Sequence, residues 1–279
     1  MSGEAVYISS RQNPYVMRVA SLSDNKGRAR EGLFKFGGFK LFSEAVACGL
    51  DIERVILRED VAKKLEEEVR RVMPNAEICV FSESAFDKVS DEKSPEGIIT
   101  VAKHIDKITK IATIDNIAKI LPPESTVIAL ESLRDPGNLG TIIRSAAAFG
   151  VDTLILSSDC ADVYNTRTVR GAMGALFSRR ILVTDDFPAL IARLSECGRR
   201  TLAATLSPDA KTLGDTVLSR SDCVVIGNEG HGLSDETVKA CTSAVIIPMM
   251  SGVGVESLNA ATAASIFMWE LTKNEGYSV

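Results

Sequence analysis

Five side chains stand out for the chemistry they could do: Asn138, Arg144, Glu229, Ser257 and Asn259. They lie in three glycine- and asparagine-rich segments, residues 135–150, 225–236 and 246–259. Each segment follows an apolar, β-branched run and leads toward a helix-like run. Open α/β sheets bind ligands beyond the carboxyl ends of their strands, so three such segments predict one composite site. In the first, Gly137, Asn138 and Gly140 stand at a helix entrance. Free N–H groups and the positive end of the helix dipole favour anions there. Asn138 brings a donor and an acceptor, and Arg144 a fixed cation suited to phosphate. The plainer alternative makes Asn138 a helix cap and Arg144 a surface arginine. The second segment, Gly227-Asn228-Glu229-Gly230-His231-Gly232, departs from G-x-G-x-x-G and comes late for a dinucleotide fingerprint. With Glu229 inside it, the loop suits a cationic or neutral ligand, and His231 reads as a solvent-facing bystander. In the third, Ser257 could simply cap the final helix, whose Ala-Ala-Thr-Ala-Ala-Ser run allows close packing in a core or a dimer.

The elements that must position these residues form two α/β series. A helix is predicted over 13–24, with Asn13 as cap and Pro14 at the first helical position. Strand-like and helix-like runs then alternate to about residue 103, including a helix stopped near Pro74 and another opened by Ser82. Residues 104–122, ending in Pro122-Pro123, read as a linker that could carry a helix. From Thr126 the alternation resumes, with 166–177 predicted as helical and Ser234 capping a short helix. Strands alternating with helices predict a parallel sheet covered on both faces. The domains expected are 1–103, the linker 104–122, and 123–279.

Composition excludes several classes. With 25% charged and 45% apolar residues the chain reads as soluble and globular. No apolar run is long enough for a membrane span, and the start has no signal-peptide core. Six cysteines without a C-x-x-C pair read as reduced thiols, so a cytoplasmic protein is expected. Only His104 and His231 could supply nitrogen ligands, and no metal site is expected. The net charge of −5 argues against a broad nucleic-acid surface. A local basic face remains open, because residues 1–30 carry Arg11, Arg18, Lys26, Arg28 and Arg30 against Glu4 and Asp24.

Taken together, the three segments resemble the SpoU (TrmH-type) RNA 2′-O-ribose methyltransferases of the SPOUT superfamily. The first motif is matched by Asn138, Gly140, Arg144, Ser145, Ala146, Phe149 and Gly150. The second is matched by Gly227, Glu229, Gly230, Gly232 and Leu233, and the third by Ile247, Pro248, Met249, Ser257, Leu258 and Asn259. The stretch from Met250 to Gly254 makes the third motif's gap longer than usual. Residues 9–22 and 94–102 are similar to the flanks of the family's accessory RNA-binding domain, although relatives usually have glutamate where this chain has Gly37. The resemblance implies an α/β fold: a C-terminal parallel-sheet SPOUT domain with a deep trefoil knot, preceded by a small α/β RNA-binding domain. It also implies S-adenosylmethionine in the knot, held by Thr205, Leu206, Gly227, Asn228, Gly230, Ile247, Pro248, Met249, Ser257, Leu258 and Asn259. It implies a homodimer whose active site borrows an arginine from the second subunit.

The implied reaction moves a methyl group to a ribose 2′-hydroxyl of RNA, ribosomal in preference to transfer RNA. Positioning in line and help with proton loss are the catalytic needs. Asn138, Arg144, Glu229, Ser257 and Asn259 are the expected catalytic residues, with Arg144 as base or as phosphate clamp. Arg11, Lys26, Arg28, Arg30 and Arg144 are the expected RNA contacts. Two rivals are a non-catalytic RNA-binding protein of the same fold and a nucleotide-dependent oxidoreductase. The latter lacks the early glycine fingerprint and its acidic ribose partner.

Overall fold

The computed structural model describes residues 5–250 and 257–274. Two compact units are present: Met1–Asp106 with Asp162–Ser178, and Lys107–Ala161 with Arg179–Val279. The chain runs β1 (Val6–Ile8), α1 (Pro14–Ser21), α2 (Asn25–Glu31), β2 (Leu33–Gly37), α3 (Phe39–Ala47), β3 (Ile52–Arg58), α4 (Ala62–Val72), β4 (Ile78–Phe81), α5 (Glu83–Val89) and β5 (Ile98–Lys103). It continues through β6 (Ile108–Lys110), α6 (Ile117–Ile120), β7 (Val127–Leu130), α7 (Pro136–Ala148), β8 (Thr153–Ser157), α8 (Thr166–Ala172) and β9 (Arg180–Thr184). Then come α9 (Phe187–Glu196), β10 (Thr201–Ala204), β11 (Lys211–Thr212), β12 (Cys223–Ile226), α10 (Asp235–Ala240), β13 (Ser243–Ile246) and α11 (Ala260–Thr272).

The first unit is a five-stranded sheet in the order β1-β4-β3-β5-β2, with β5 antiparallel to both neighbours. Successive side chains of a strand face opposite ways. Val55 and Leu57 of β3 accordingly pack with Leu65 and Val69 of α4, while Ile56 joins Val16, Val19 and Phe86 on the other face. The helix predicted over 13–24 ends at Ser21, and a second, unpredicted helix follows from Asn25. Asp24 accepts a hydrogen bond from the Gly27 amide at 2.7 Å and starts α2 afresh. A Cβ on Gly27 would stand 1.8 Å from the Ser21 carbonyl oxygen, so only glycine allows α2 to lie against the end of α1. The space beside Gly37 is taken by another acid: a Cβ there would stand 3.2 Å from Glu92 Oε1.

Residues 162–178 complete this unit's core. Tyr164 packs on Phe34 with ring centroids 4.8 Å apart, and Phe177 packs on Phe36 at 5.2 Å. Arg28, an expected RNA contact, is instead turned inward and 3% exposed. Its guanidinium donates to Asp162 at 2.6 and 3.0 Å and to the Leu22 carbonyl at 2.8 Å. The helix predicted over 166–177 breaks at Met173 and Gly174, both left-handed, before a short 3-10 turn.

The second unit is an eight-stranded, wholly parallel sheet in the order β11-β13-β10-β12-β7-β8-β9-β6. Residues 104–122, read as a linker, supply its edge strand β6 and the short α6. Strand β7 is buried throughout, as expected of a strand covered on both faces. Val127 and Ala129 pack with Leu190, Ile191 and Leu194 of α9. Strand β12 lies between β7 and β10, and β13 lies outside β10. Among the described residues, no helix is long and apolar enough to cross a membrane, and no cluster of three or more His, Cys, Asp or Glu could hold a metal ion.

Removing one member of a buried ion pair leaves the other charge uncompensated. Asp162→Ala is therefore expected to cost about 3 kcal/mol in chemical denaturation; a cost below about 0.5 kcal/mol, typical of a surface pair, would contradict the role given to it. Burial holds the His104 imidazole below its ordinary 6.5, beside the stacked Tyr164 ring at 4.3 Å. A base with a depressed folded pKa contributes stability above its unfolded pKa and loses it as pH falls through the folded one. Wild-type stability is expected to decline below about pH 6.5 more steeply than that of His104→Phe. Parallel pH profiles would contradict this.

Candidate functional site

Helix α7 begins with Asp135, whose carboxylate accepts from the Asn138 amide at 2.8 Å, and with Pro136 in its first turn. Asp135 is thus the cap, and the Asn138 side chain is left available. Its Nδ2 donates to Glu229 Oε1 at 2.6 Å, and its Oδ1 accepts from Asn259 Nδ2 at 3.0 Å. Asn259 in turn caps α11, its Oδ1 accepting from the Ala261 and Thr262 amides at 2.9 and 3.2 Å. Ser257, read as the possible cap, lies two residues before it and is exposed. One side-chain amide thus joins residues from all three segments.

The 227–233 loop is closed at its base. Asn228 and Gly232 exchange backbone hydrogen bonds of 3.0 and 2.9 Å. A Cβ on Gly227 would stand 2.2 Å from the Gly232 carbonyl carbon, so glycine permits this crossing of backbones. The Asn228 side chain accepts from the Gly230 and His231 amides and donates to the Ser132 carbonyl. Glu229 stands at the exposed tip of the loop.

A cleft of about 390 Å³ opens beside this loop, at the carboxyl ends of β10, β12 and β13. Of the eleven residues expected to hold the cofactor, Thr205, Leu206, Gly227, Asn228, Gly230, Ile247, Met249, Ser257 and Leu258 line it. Pro248 and Asn259 do not. Sequence reasoning missed the walls formed by Ile226 and by Ala260, Ala263 and Phe267 of α11. The small residues of α11 were a signal for close approach, but nothing local said to what. His231, read as a bystander, stands exposed at the cleft's edge. The lengthened stretch Met250–Gly254 lies, from residue 251 onward, outside the described residues.

Arg144 is not joined to the Asn138 group. It is exposed, about 120° around α7 from Asn138. The next residue packs inward, Ser145 meeting Ser265 of α11 at 2.9 Å. Of the other expected RNA contacts, Arg11 and Lys26 are exposed, and Arg30 is exposed while pairing with Glu31 at 2.8 Å.

The family model of the SpoU rRNA methylase family matches residues 125–269, and that of the MRM3-like substrate binding domain matches residues 13–100. An uncharacterized tRNA/rRNA methyltransferase of Synechocystis is 28% identical, covering 99% of this chain and 96% of its own. The 23S rRNA (guanosine(2553)-2'-O)-methyltransferase RlmP of Bacillus subtilis is 27% identical, covering 95% and 98%. The AdoMet-bound rRNA methyltransferase of Sinorhizobium meliloti has a similar fold, with a TM-score of 0.79 at 23% identity over 99% of this chain and 100% of that one. With more than half its length matched by that family, the chain belongs to the SpoU rRNA methylases.

Proposed function

We propose that this chain transfers the methyl group of S-adenosylmethionine to a ribose 2′-hydroxyl of RNA, and that its substrate is ribosomal RNA. The observation that carries this reading is the Glu229–Asn138–Asn259 hydrogen-bonded group beside the cleft. The naming of the Bacillus subtilis relative, and the AdoMet in the Sinorhizobium meliloti structure, support the reaction and the cofactor. The cleft suits that cofactor. Its volume is in the range of small-molecule sites, its walls combine apolar side chains such as Ile226 and Phe267 with polar groups such as Thr205 and Asn228, and an acid at its rim complements a sulfonium.

When bound, S-adenosylmethionine supplies a methyl group activated by positive sulfur. Gly227, Ile247 and Leu258 hold the cofactor through their backbone. Asn138, Asn259 and Ser257 orient the ribose and its phosphate. Glu229 fixes the Asn138 amide so that its remaining lone pair and hydrogen point in set directions. A guanidinium stays protonated at working pH. We therefore give Arg144 the role of gripping the substrate phosphate and stabilising the negative charge that develops on the 2′-oxygen as its proton passes to solvent.

In this reading the protein acts as a homodimer, and Arg144 serves the cleft of the second copy. The arginine's exposure, its direction away from Asn138, and the half-exposed Trp269 at 46% on α11 support that arrangement. The trefoil knot belongs to the same reading, supported by the placing of β12 between β7 and β10. Residues 1–103 bind the RNA, with Arg11, Lys26 and Arg30 as phosphate contacts. The protein works in the cytoplasm without a metal; its six free thiols agree with a reducing compartment.

Incubation with labelled S-adenosylmethionine and separate pools of unmodified ribosomal and transfer RNA tests this. Label is expected in a 2′-O-methyl nucleoside of ribosomal RNA. Arg144→Ala should lower turnover at least about 100-fold while leaving cofactor affinity within about twofold. Label in a base, or full turnover by Arg144→Ala, would refute the respective assignments.

A further inference from the structure

Glu131 follows β7 directly, its amide donating to the Ile226 carbonyl at 2.9 Å. It is a buried acid, 8% exposed, outside the group of residues given a role above. Its carboxylate accepts three hydrogen bonds, from the Ser234 amide at 2.9 Å, the Ser234 hydroxyl at 2.8 Å and the Thr237 hydroxyl at 2.6 Å. All three donors belong to the first turn of α10, immediately after the 227–233 loop. That turn already has its own cap, since Ser234 Oγ accepts from the Thr237 amide at 3.2 Å. The carboxylate therefore adds a tie between the end of β7 and the far end of the loop.

The near end of the loop is tied to the next residue. Asn228 Nδ2 donates to the Ser132 carbonyl at 2.8 Å. Ser132 has a φ of 53°, a left-handed conformation that a non-glycine residue holds only when its surroundings fix it. The surroundings do so. The Ser132 amide donates to Ser157 Oγ at 2.8 Å, and its hydroxyl donates to Asp159 at 2.6 Å. Partial burial pushes the Asp159 carboxyl up, but hydrogen bonds from Ser132, Ser157 and Arg134 hold it below its ordinary value. Two adjacent residues thus clamp both ends of one loop. The Asn228–Gly232 pair makes that loop a closed unit, so a shift at Ser234 is carried to Glu229 at the tip.

We propose that Glu131 is a positioning residue, which sets Glu229 against Asn138 and holds the cleft wall by anchoring the loop's exit at Ser234. This rests on the methyltransferase reading only for its catalytic readout. The clamp itself is visible without cofactor.

The test compares wild type with Glu131→Gln and the milder Ser234→Ala, each in the full chain. Amide exchange at Asn228 and Gly232 is measured without cofactor. S-adenosylmethionine affinity and kcat at saturating cofactor are measured well below the melting temperature. Glu131→Gln is expected to speed exchange at both amides about 10-fold, raise the cofactor Kd about 10-fold and lower kcat by a similar factor, with the RNA KM unchanged. Ser234→Ala should act in the same direction more weakly, and the double variant should be no worse than Glu131→Gln alone. If Glu131→Gln does not fold, Ser234→Ala carries the same readouts. A variant with a lower melting temperature but wild-type exchange, Kd and kcat would show a merely structural acid and overturn the proposal. If wild type binds no cofactor, the functional reading fails, while the exchange data still decide whether Glu131 holds the loop.

Discussion

The side-chain amide of Asn138 is the joint on which the site depends. One face of it donates to a carboxylate and the other accepts from a second amide, so it needs both a donor and an acceptor on one short side chain. Aspartate would set one carboxylate against another, and alanine would leave two polar partners unmatched. Asn138 can act this way because the capping task falls to Asp135, with Pro136 pre-setting the first helical turn. An asparagine that capped its own helix would have turned its oxygen toward its own backbone.

Around that joint, the sheet concentrates polar function at one edge. Strands β7 and β12 are buried along their whole length, so their side chains pack, with only Ile226 at the end of β12 reaching the cleft wall. Chemistry is confined to the turns that follow them. Those turns must bring backbones close, which explains glycine where Gly227 crosses Gly232. They must also be held from behind, which explains the buried acid and strained serine that end β7. The apolar wall of α11 completes the cleft, and the same helix delivers Asn259 through its own cap.

Much of this was legible in the sequence, for physical reasons that differ by element. β-Branched runs set off by turn-forming residues marked β3 (after Gly49 and Asp51), β7 (after Pro122-Pro123) and β8 (after Gly150 and Asp152). β1 has only three residues and a single neighbour, and α2 is polar apart from Gly27 and Ala29, so neither carries a period. The inward turn of Arg28 was out of reach because its partner, Asp162, lies 134 residues away. Docking of 162–178 into the first unit was hidden for the same reason: local pattern reports an element's type, not which core it joins. The side chains we propose for function stood out in the sequence because each sits in a local motif. Asn138's freedom from capping could also have been read, from the Asp135-Pro136 pair just upstream. The second use of Asn259, as cap in place of Ser257, required the geometry.

The most direct measurement is an amide NMR titration of the full chain with S-adenosylmethionine. Shifts are expected at residues 205–206, 227–230, 247–249 and 257–258, with residues 5–103 unmoved. Binding that shifts the N-terminal unit instead, or that leaves the 227–230 amides unchanged, would contradict a cofactor site built from these loops.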